Sequence, residues 1–230
     1  MATVLAIPDL HCPYEHQDAL AFLKAVQRHY RTNRVICLGD EADMHAMSGH
    51  DHDPDLDSAG TEHQEMLEHL RPYYRAFPNT QVCHSNHTAR PFRKAAEFGI
   101  PSVYLRTYAE FMEAPAGWTW GESFDIDLVK YLHGEGYSGW EGALKCAQAH
   151  MQSCVIGHIH SRAGVMFNAN AKYLIWGLNC GWLGNRKLRA FAYAKNQKDK
   201  PILGCGVIRD GVPQFIPMRL TKSGRWSGEL

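Results

Sequence analysis

A chain of 230 residues, 45% of them apolar, is long enough to bury one sizeable core. Its 24 basic and 24 acidic side chains cancel, so no global positive field marks it for nucleic acid or an anionic membrane. No apolar run approaches the roughly 18 residues of a membrane span, and Met1 to Pro8 is too short for a secretory signal, which together predict a cytosolic chain with no membrane partner.

No Pro/Gly/Ser-rich linker divides the sequence, which predicts a single domain over residues 1–220 and a flexible tail over 221–230. The seven cysteines are odd in number and lack C-x-x-C spacing, and Cys37, Cys83 and Cys154 fall inside apolar runs. They read as buried, reduced thiols.

In chain order, Thr3 to Pro8 is a short apolar strand, and it ends in Asp9-Leu10-His11. A helix from about His16 to Arg31 follows, with Ala19, Phe22, Leu23 and Val26 on one face, and it returns the chain for a parallel second strand, Arg34 to Leu38. That strand ends in Gly39-Asp40-Glu41-Ala42-Asp43. The next segment, 44–57, is dense in donors: His45, His50, Asp51, His52, Asp53, Asp55 and Asp57. It reads as a solvated loop, with a third metal site or a lid over the substrate as the alternatives.

A second helix from about Thr61 to Phe77 carries Met66, Leu67 and Leu70 inward, and Thr61-x-x-Gln64 resembles a capping box at its start. The third strand, Thr80 to His84, ends in Ser85-Asn86-His87. Residues 87–114 read as helical in two pieces broken at Gly99-Ile100-Pro101. The strand Leu128 to Leu132 ends in His133-Gly134. A helix over Trp140 to Met151 then leads to the strand Ser153 to Ile156, which ends in Gly157-His158-Ile159-His160. Beyond residue 160 the pattern turns to hairpins: Val165 to Asn168 with Tyr173 to Leu178, and Ile202 to Ile208 with Pro213 to Met218 across Asp210-Gly211.

Five polar blocks at five strand ends are thus rich in residues that hold metals. Strand ends in an open α/β sheet are where distant ligands meet. The donors mix carboxylate, imidazole and amide, a set that suits Mn, Fe, Zn or Ni better than Ca or Mg. Seven candidate donors exceed the need of one tetrahedral site, and one carboxylate can bridge two ions held roughly 3.5–4 Å apart. The ordinary alternative, satisfied core and loop polar residues, gives no packing reason for histidines at successive strand ends.

Taken in order, these blocks resemble the calcineurin-like metallophosphoesterase superfamily, whose pattern is D-x-H, G-D-x-x-D, G-N-H-E/D, H and G-H-x-H. The resemblance spans residues 9–160. It implies an α/β fold, a four-layer α/β/β/α sandwich of two mixed sheets flanked by helices. It also implies two divalent transition-metal ions, Mn before Fe, Zn or Ni. Asp9, His11 and His160 would hold the first, Asn86, His133 and His158 the second, and Asp40 would bridge both. His87 would be the catalytic imidazole, oriented by Asp43.

The third block departs from the pattern at Ser85 and Thr88, which touches the local turn and its hydrogen bonding and not the ligand count. The protein Ser/Thr phosphatase variant G-D-x-V-D-R-G is absent, since Asp43 is followed by Met44 and His45. The run Asn86-His87-Thr88-Ala89-Arg90-Pro91 and the His/Asp-rich segment also resemble calcineurin-like proteins of tailed bacteriophages.

The implied activity is hydrolysis of a phosphoester, most simply a phosphodiester of nucleotides or nucleic acid, by hydroxide made available on the metals near neutral pH. A phosphomonoesterase and a non-catalytic metal-binding scaffold are the alternatives. Arg90, one helical turn beyond His87, is a candidate phosphate clamp through its planar fork. His45, Glu135 and Tyr137 are candidate substrate contacts by their loop positions. The basic run Arg186, Lys187, Arg189, Lys195, Lys198 and Lys200, interleaved with Phe191 and Tyr193, fits either a nucleic-acid backbone or a solvated face. Oligomeric state is not legible in the sequence.

Overall fold

The structure is a computed structural model that describes residues 1–49, 57–185 and 199–230. Its strands are β1 (Thr3–Ile7), β2 (Arg34–Cys37), β3 (Thr80–Cys83), β4 (Trp118–Gly121), β5 (Ser123–Ile126), β6 (Val129–Leu132), β7 (Ser153–Ile156), β8 (Gly164–Ala169), β9 (Leu174–Asn179), β10 (Gly204–Arg209) and β11 (Val212–Pro217). The helices are α1 (Ala19–Tyr30), α2 (Ala59–Ala76), α3 (Arg90–Glu97), α4 (Tyr108–Phe111) and α5 (Gly142–His150), with short 3-10 turns at His45–Met47 and Ser102–Tyr104. One sheet runs β11-β10-β1-β2-β3-β4 and the other β5-β6-β7-β9-β8.

Alternation along the strands sorts the side chains into layers, because successive residues of a strand face opposite sides. On β1, Leu5 and Ile7 pack with Phe22, Leu23 and Val26 of α1 and with Met66, Leu67 and Leu70 of α2. Val4 and Ala6 face the other way and join Ile36, Leu38 and Cys83 against Val129, Tyr131, Val155 and Leu178 of the second sheet. The outer face of that sheet is covered by α5, where Ala143, Cys146 and Ala147 pack on Cys154 and Ile156. Two mixed sheets face to face with helices outside make the four-layer α/β/β/α sandwich that the ligand blocks imply.

Several local expectations shift. The start of α2 is set by Ser58, whose side chain accepts the Thr61 N–H, so the cap lies three residues before the Thr61-x-x-Gln64 signal. Pro72 sits inside that helix. Strands β4 and β5 carry Gly, Asp and Ser among aromatic residues, and their alternation is too weak to read from four residues each. All seven cysteines are buried and free, as the composition predicts. Among the described residues no helix is long and apolar enough to cross a membrane.

The tail expected to be flexible instead folds back on the start of α1. Arg225 donates from Nε to Asp18 at 2.8 Å and from its terminal nitrogen to the other carboxylate oxygen, while the Trp226 N–H donates to Asp18 at 2.9 Å. The Trp226 ring meets Phe22 edge-on at 5.8 Å, and His16 contacts the Gly224 carbonyl at 3.0 Å. A charged residue and a Trp near a chain end read as solvated in sequence, whereas here they cover the start of a helix whose cap residue is Asp18.

The Arg225 hydrogen bonds, working against a small desolvation cost, hold the Asp18 carboxyl down at about 2. A depressed carboxyl stabilises the fold above its unfolded value near 3.8 and loses that contribution as pH falls through about 2. Asp18→Asn is therefore expected to cost roughly 0.5–1 kcal/mol in urea unfolding at pH 7. The gap to wild type should close as the same measurement is taken down toward pH 2.

Candidate metal centre

Parallel pairing decides where the polar blocks go. β1, β2 and β3 run parallel to one another, as do β6, β7 and β9, so the residues that follow β1, β2, β3, β6 and β7 emerge at the same ends of their sheets. The loops are then tied together by main-chain bonds: His11 N–H to the Asp40 carbonyl at 2.8 Å, Leu183 N–H to the Asp9 carbonyl at 3.0 Å, and Gly157 N–H to the His133 carbonyl at 3.0 Å. Three of the predicted ligands sit in the left-handed backbone region, His11 at φ 55°, Asp40 at φ 47° and His158 at φ 63°. For a non-glycine residue this costs about 1–3 kcal/mol each and persists only where the surroundings fix it.

The predicted ligands form two groups that share Asp40. In the first, Asp9, His11, Asp40 and His160 each offer one ligand atom, all within 4.8 Å of one another. His160 Nε2 lies 2.8 Å from Asp9 Oδ2 and 3.3 Å from His11 Nε2. In the second, His133 Nε2 lies 2.7 Å from Asn86 Oδ1 and 3.1 Å from His158 Nδ1. Asp40 Oδ2 stands between the groups, 3.7 Å from His11 Nε2 and 3.5 Å from His133 Nε2.

Hydrogen bonding on the far side of each ring fixes which nitrogen turns inward. His133 Nδ1 faces the Leu38 carbonyl at 2.9 Å and must donate to it, while His11 Nδ1 faces Asp43 Oδ2 at 2.9 Å and donates there. In their neutral forms both rings then turn an Nε2 lone pair inward, toward other imidazole nitrogens and a carboxylate. Lone pairs converging at such distances need a proton or a cation between them, and an outer hydrogen bond that sets the inner nitrogen is the usual support of a metal-bound histidine. The donor chemistry therefore fits divalent metal.

The buried charges agree. Asp9, Asp40 and Asp43 are each 1% exposed or less. Burial opposes their ionisation, yet all three are held below the ordinary carboxylate range: Asp9 by His160 and His133, Asp40 by His133, His87 and His11, and Asp43 by hydrogen bonds from His11 and His87. His11 and His158 are driven down by burial first and by neighbouring imidazoles second, which keeps them in the neutral form that ligates. Glu41, fully buried beside Asp40, is raised to about 7 by burial even though Trp120 Nε1 donates to it at 2.9 Å.

His87 stands edge-on to His11, with ring centroids 4.5 Å apart. Its Nδ1 is 3.2 Å from the Asp43 carbonyl and 3.4 Å from Asp43 Oδ1. Its main-chain N–H donates to Asp40 Oδ1 at 3.0 Å. Burial works against a charged His87, but the Asp40 and Asp43 carboxylates outweigh it and raise its pKa. Arg90 corrects an expectation. The fork predicted to clamp a phosphate is engaged inside the protein, donating to the Asp43 carbonyl at 2.8 Å and to Asp43 Oδ1 at 3.0 Å, with a terminal nitrogen 3.2 Å from His87 Nε2.

Of the other predicted contacts, His45 is buried 4.0 Å from Asp43 Oδ1, with its N–H held by Glu62. Tyr137 packs with Ile159 and the α5 alanines instead of facing the cluster, and Glu135 is exposed with no contact to the cluster among the described residues. His50, Asp51, His52, Asp53 and Asp55 of the donor-rich loop lie outside the described residues. So do Arg186, Lys187, Arg189, Lys195 and Lys198 with Phe191 and Tyr193.

Three contributors lie beyond the predicted ligands. Trp182 stacks on His160, centroids 5.3 Å apart and planes at 17°, and meets His11 edge-on at 6.3 Å. Ser85, where the family pattern has Gly, uses its hydroxyl to accept the Asp40 N–H at 2.7 Å. Gly157 is needed for contact: a Cβ there would lie 2.2 Å from Asp9 Oδ1. Ser85 and Gly157 flank the ligand blocks and were open to suspicion; nothing local marks Trp182, 22 residues beyond His160.

No protein-family model and no curated protein matches this chain. Solved structures similar to it include Vacuolar Protein Sorting 29 from Cryptosporidium parvum, at 14% identity over 93% of this chain and 95% of that one, TM-score 0.44. Vps29 of Chaetomium thermophilum is 12% identical over 99% and 94%, TM-score 0.44. The Pseudomonas putida nuclease MPE is 12% identical over 93% and 85%, TM-score 0.39.

The Gly157 contact gives a direct expectation. Gly157→Ala should displace the Asp9 carboxylate and cost about 1–3 kcal/mol in unfolding free energy. Metal uptake, measured by elemental analysis after dialysis against Mn, should fall with it.

Proposed function

We propose that this chain is a dinuclear-metal-dependent phosphoester hydrolase acting on phosphodiesters of nucleotides or nucleic acid. The observation that carries the reading is Asp40 Oδ2 standing within 3.7 Å of an inward imidazole nitrogen from each of two ligand groups. Asp9, His11 and His160 would hold one ion, Asn86, His133 and His158 the other, and Asp40 both. The mixed oxygen and nitrogen donors suit Mn, Fe, Zn or Ni, of which the family resemblance puts Mn first. When bound, such ions polarise phosphoryl oxygens and make a water acidic enough to attack near neutral pH.

The remaining work falls to side chains. His87 lies outside the two groups that share Asp40, is fixed at Nδ1 by Asp43 and stands edge-on to His11, which places its ring to pass a proton to the leaving oxygen. Arg90 keeps Asp43 and His87 in register, donating to Asp43 and lying 3.2 Å from His87 Nε2. Its charge is paired with Asp43.

Hydrolysis of an aryl phosphodiester and an aryl phosphomonoester by the Mn-loaded protein tests the reading. Diester turnover well above monoester turnover is expected; activity on neither, across several metals, would leave a metal-binding scaffold. His87→Ala should retain its metal and lose about 10²–10⁴ in turnover. Asp40→Asn should instead lose metal, as elemental analysis would show.

A further inference from the structure

Between α2, α3 and the turn after Asp43 lies a cavity of about 450 Å³ that none of the proposed chemistry uses. That volume falls within the range of small-ligand sites, and the walls have their character: Met44, Met47, Pro91, Phe92, Leu105 and Phe111. Phe92 and Phe111 stand 5.8 Å apart with their planes at 60°, and Tyr108 backs both at 4.6 and 5.8 Å, so the rings form one aromatic cluster. The thioethers of Met44 and Met47 adapt to flat or irregular surfaces. Among the described residues no carboxylate lines the cavity, and its one charged guanidinium, Arg106, is exposed.

Its position ties it to the reaction. Met44 directly follows Asp43, and Pro91 and Phe92 directly follow Arg90 on α3. His45, between Met44 and Met47, reaches within 4.0 Å of Asp43 Oδ1. One wall of the cavity is thus built on the same two segments that hold His87. Met44 is buried and held at φ 55°, so this wall is set by the same turn that places Asp43.

We propose that this cavity is a substrate subsite that receives a flat aromatic group of nucleobase size, carried by the phosphoester whose phosphoryl group sits at the metal cluster. Resting on the phosphoester hydrolase reading, the assignment names the substrate class: phosphoesters with an aromatic substituent close to phosphorus. Phe92 and Phe111 offer the ring aromatic faces and edges to pack on, and the methionines and Leu105 add apolar wall.

Gly60, on α2, lines the cavity, and a Cβ there would meet nothing nearer than Ser58 Oγ at 3.9 Å. Gly60→Leu therefore introduces a side chain without a backbone clash and with better helix propensity. The test is calorimetric titration of the Mn-loaded protein with benzylphosphonate and with methylphosphonate, which needs no turnover. Wild type should bind the benzyl compound at least about tenfold more tightly, the effect of burying one ring. In Gly60→Leu that preference should shrink to about twofold or less, with the methylphosphonate affinity unchanged. Phe92→Ala, which removes one of those rings instead of filling the space, should reduce the preference in the same direction. Equal affinities in wild type, or a benzyl preference that survives both substitutions, would overturn the subsite while leaving the metal centre intact. Failure of either phosphonate to bind would remove the phosphoester reading and this inference together.

Discussion

Asp40 is a fully buried carboxylate that the fold keeps ionised, and most of the architecture around the site can be understood as what that requires. A lone charge in such a place is prohibitive; it persists only with opposite charge and hydrogen-bond donors on every side. Here the Ser85 hydroxyl accepts the Asp40 N–H, the His87 N–H donates to one carboxylate oxygen, and the other oxygen faces the inward nitrogens of His11 and His133 at 3.7 and 3.5 Å, an arrangement that a cation between them would satisfy. These partners come from the ends of β1, β3 and β6, two of them in one sheet and one in the other. The face-to-face sandwich is what lets a single carboxylate reach all of them.

The surrounding strain follows from the same need. His11, Asp40, Met44 and His158 all take left-handed backbone conformations, and Gly157 lacks the Cβ that would strike Asp9. Each is a local cost that the tightly packed inter-sheet core can hold in place, since Val4, Ala6, Ile36 and Leu38 immediately precede these turns and are almost wholly buried. Asp43 adds a second layer of control. One carboxylate oxygen fixes His11 from behind, and its carbonyl and other oxygen fix His87 and Arg90, so the ligand set and the proposed acid are mechanically linked.

Much of this was legible in the sequence because each polar block follows a short apolar run, and an apolar run followed by a donor is a local signal. The strand ends from Asp9 to His160 needed only that rule and their order. What stayed hidden depends on long-range contact. Trp182 earns no notice as one aromatic residue after an ordinary strand, yet its ring lies flat on His160. Arg225 and Trp226 look like a solvated end until Asp18, 207 positions earlier, is seen to bind them. Arg90 shows the converse: helical spacing correctly brought it next to His87, but spacing cannot tell that Asp43 would occupy its fork. The departure at Ser85 became intelligible only once its hydroxyl was found on the Asp40 N–H.

The proposed centre is two ions sharing one carboxylate. Crystals of the Mn-loaded protein, measured at the Mn absorption edge, should show two anomalous peaks roughly 3.5–4 Å apart, one on each side of Asp40. A single peak, or none within reach of Asp40, would contradict it.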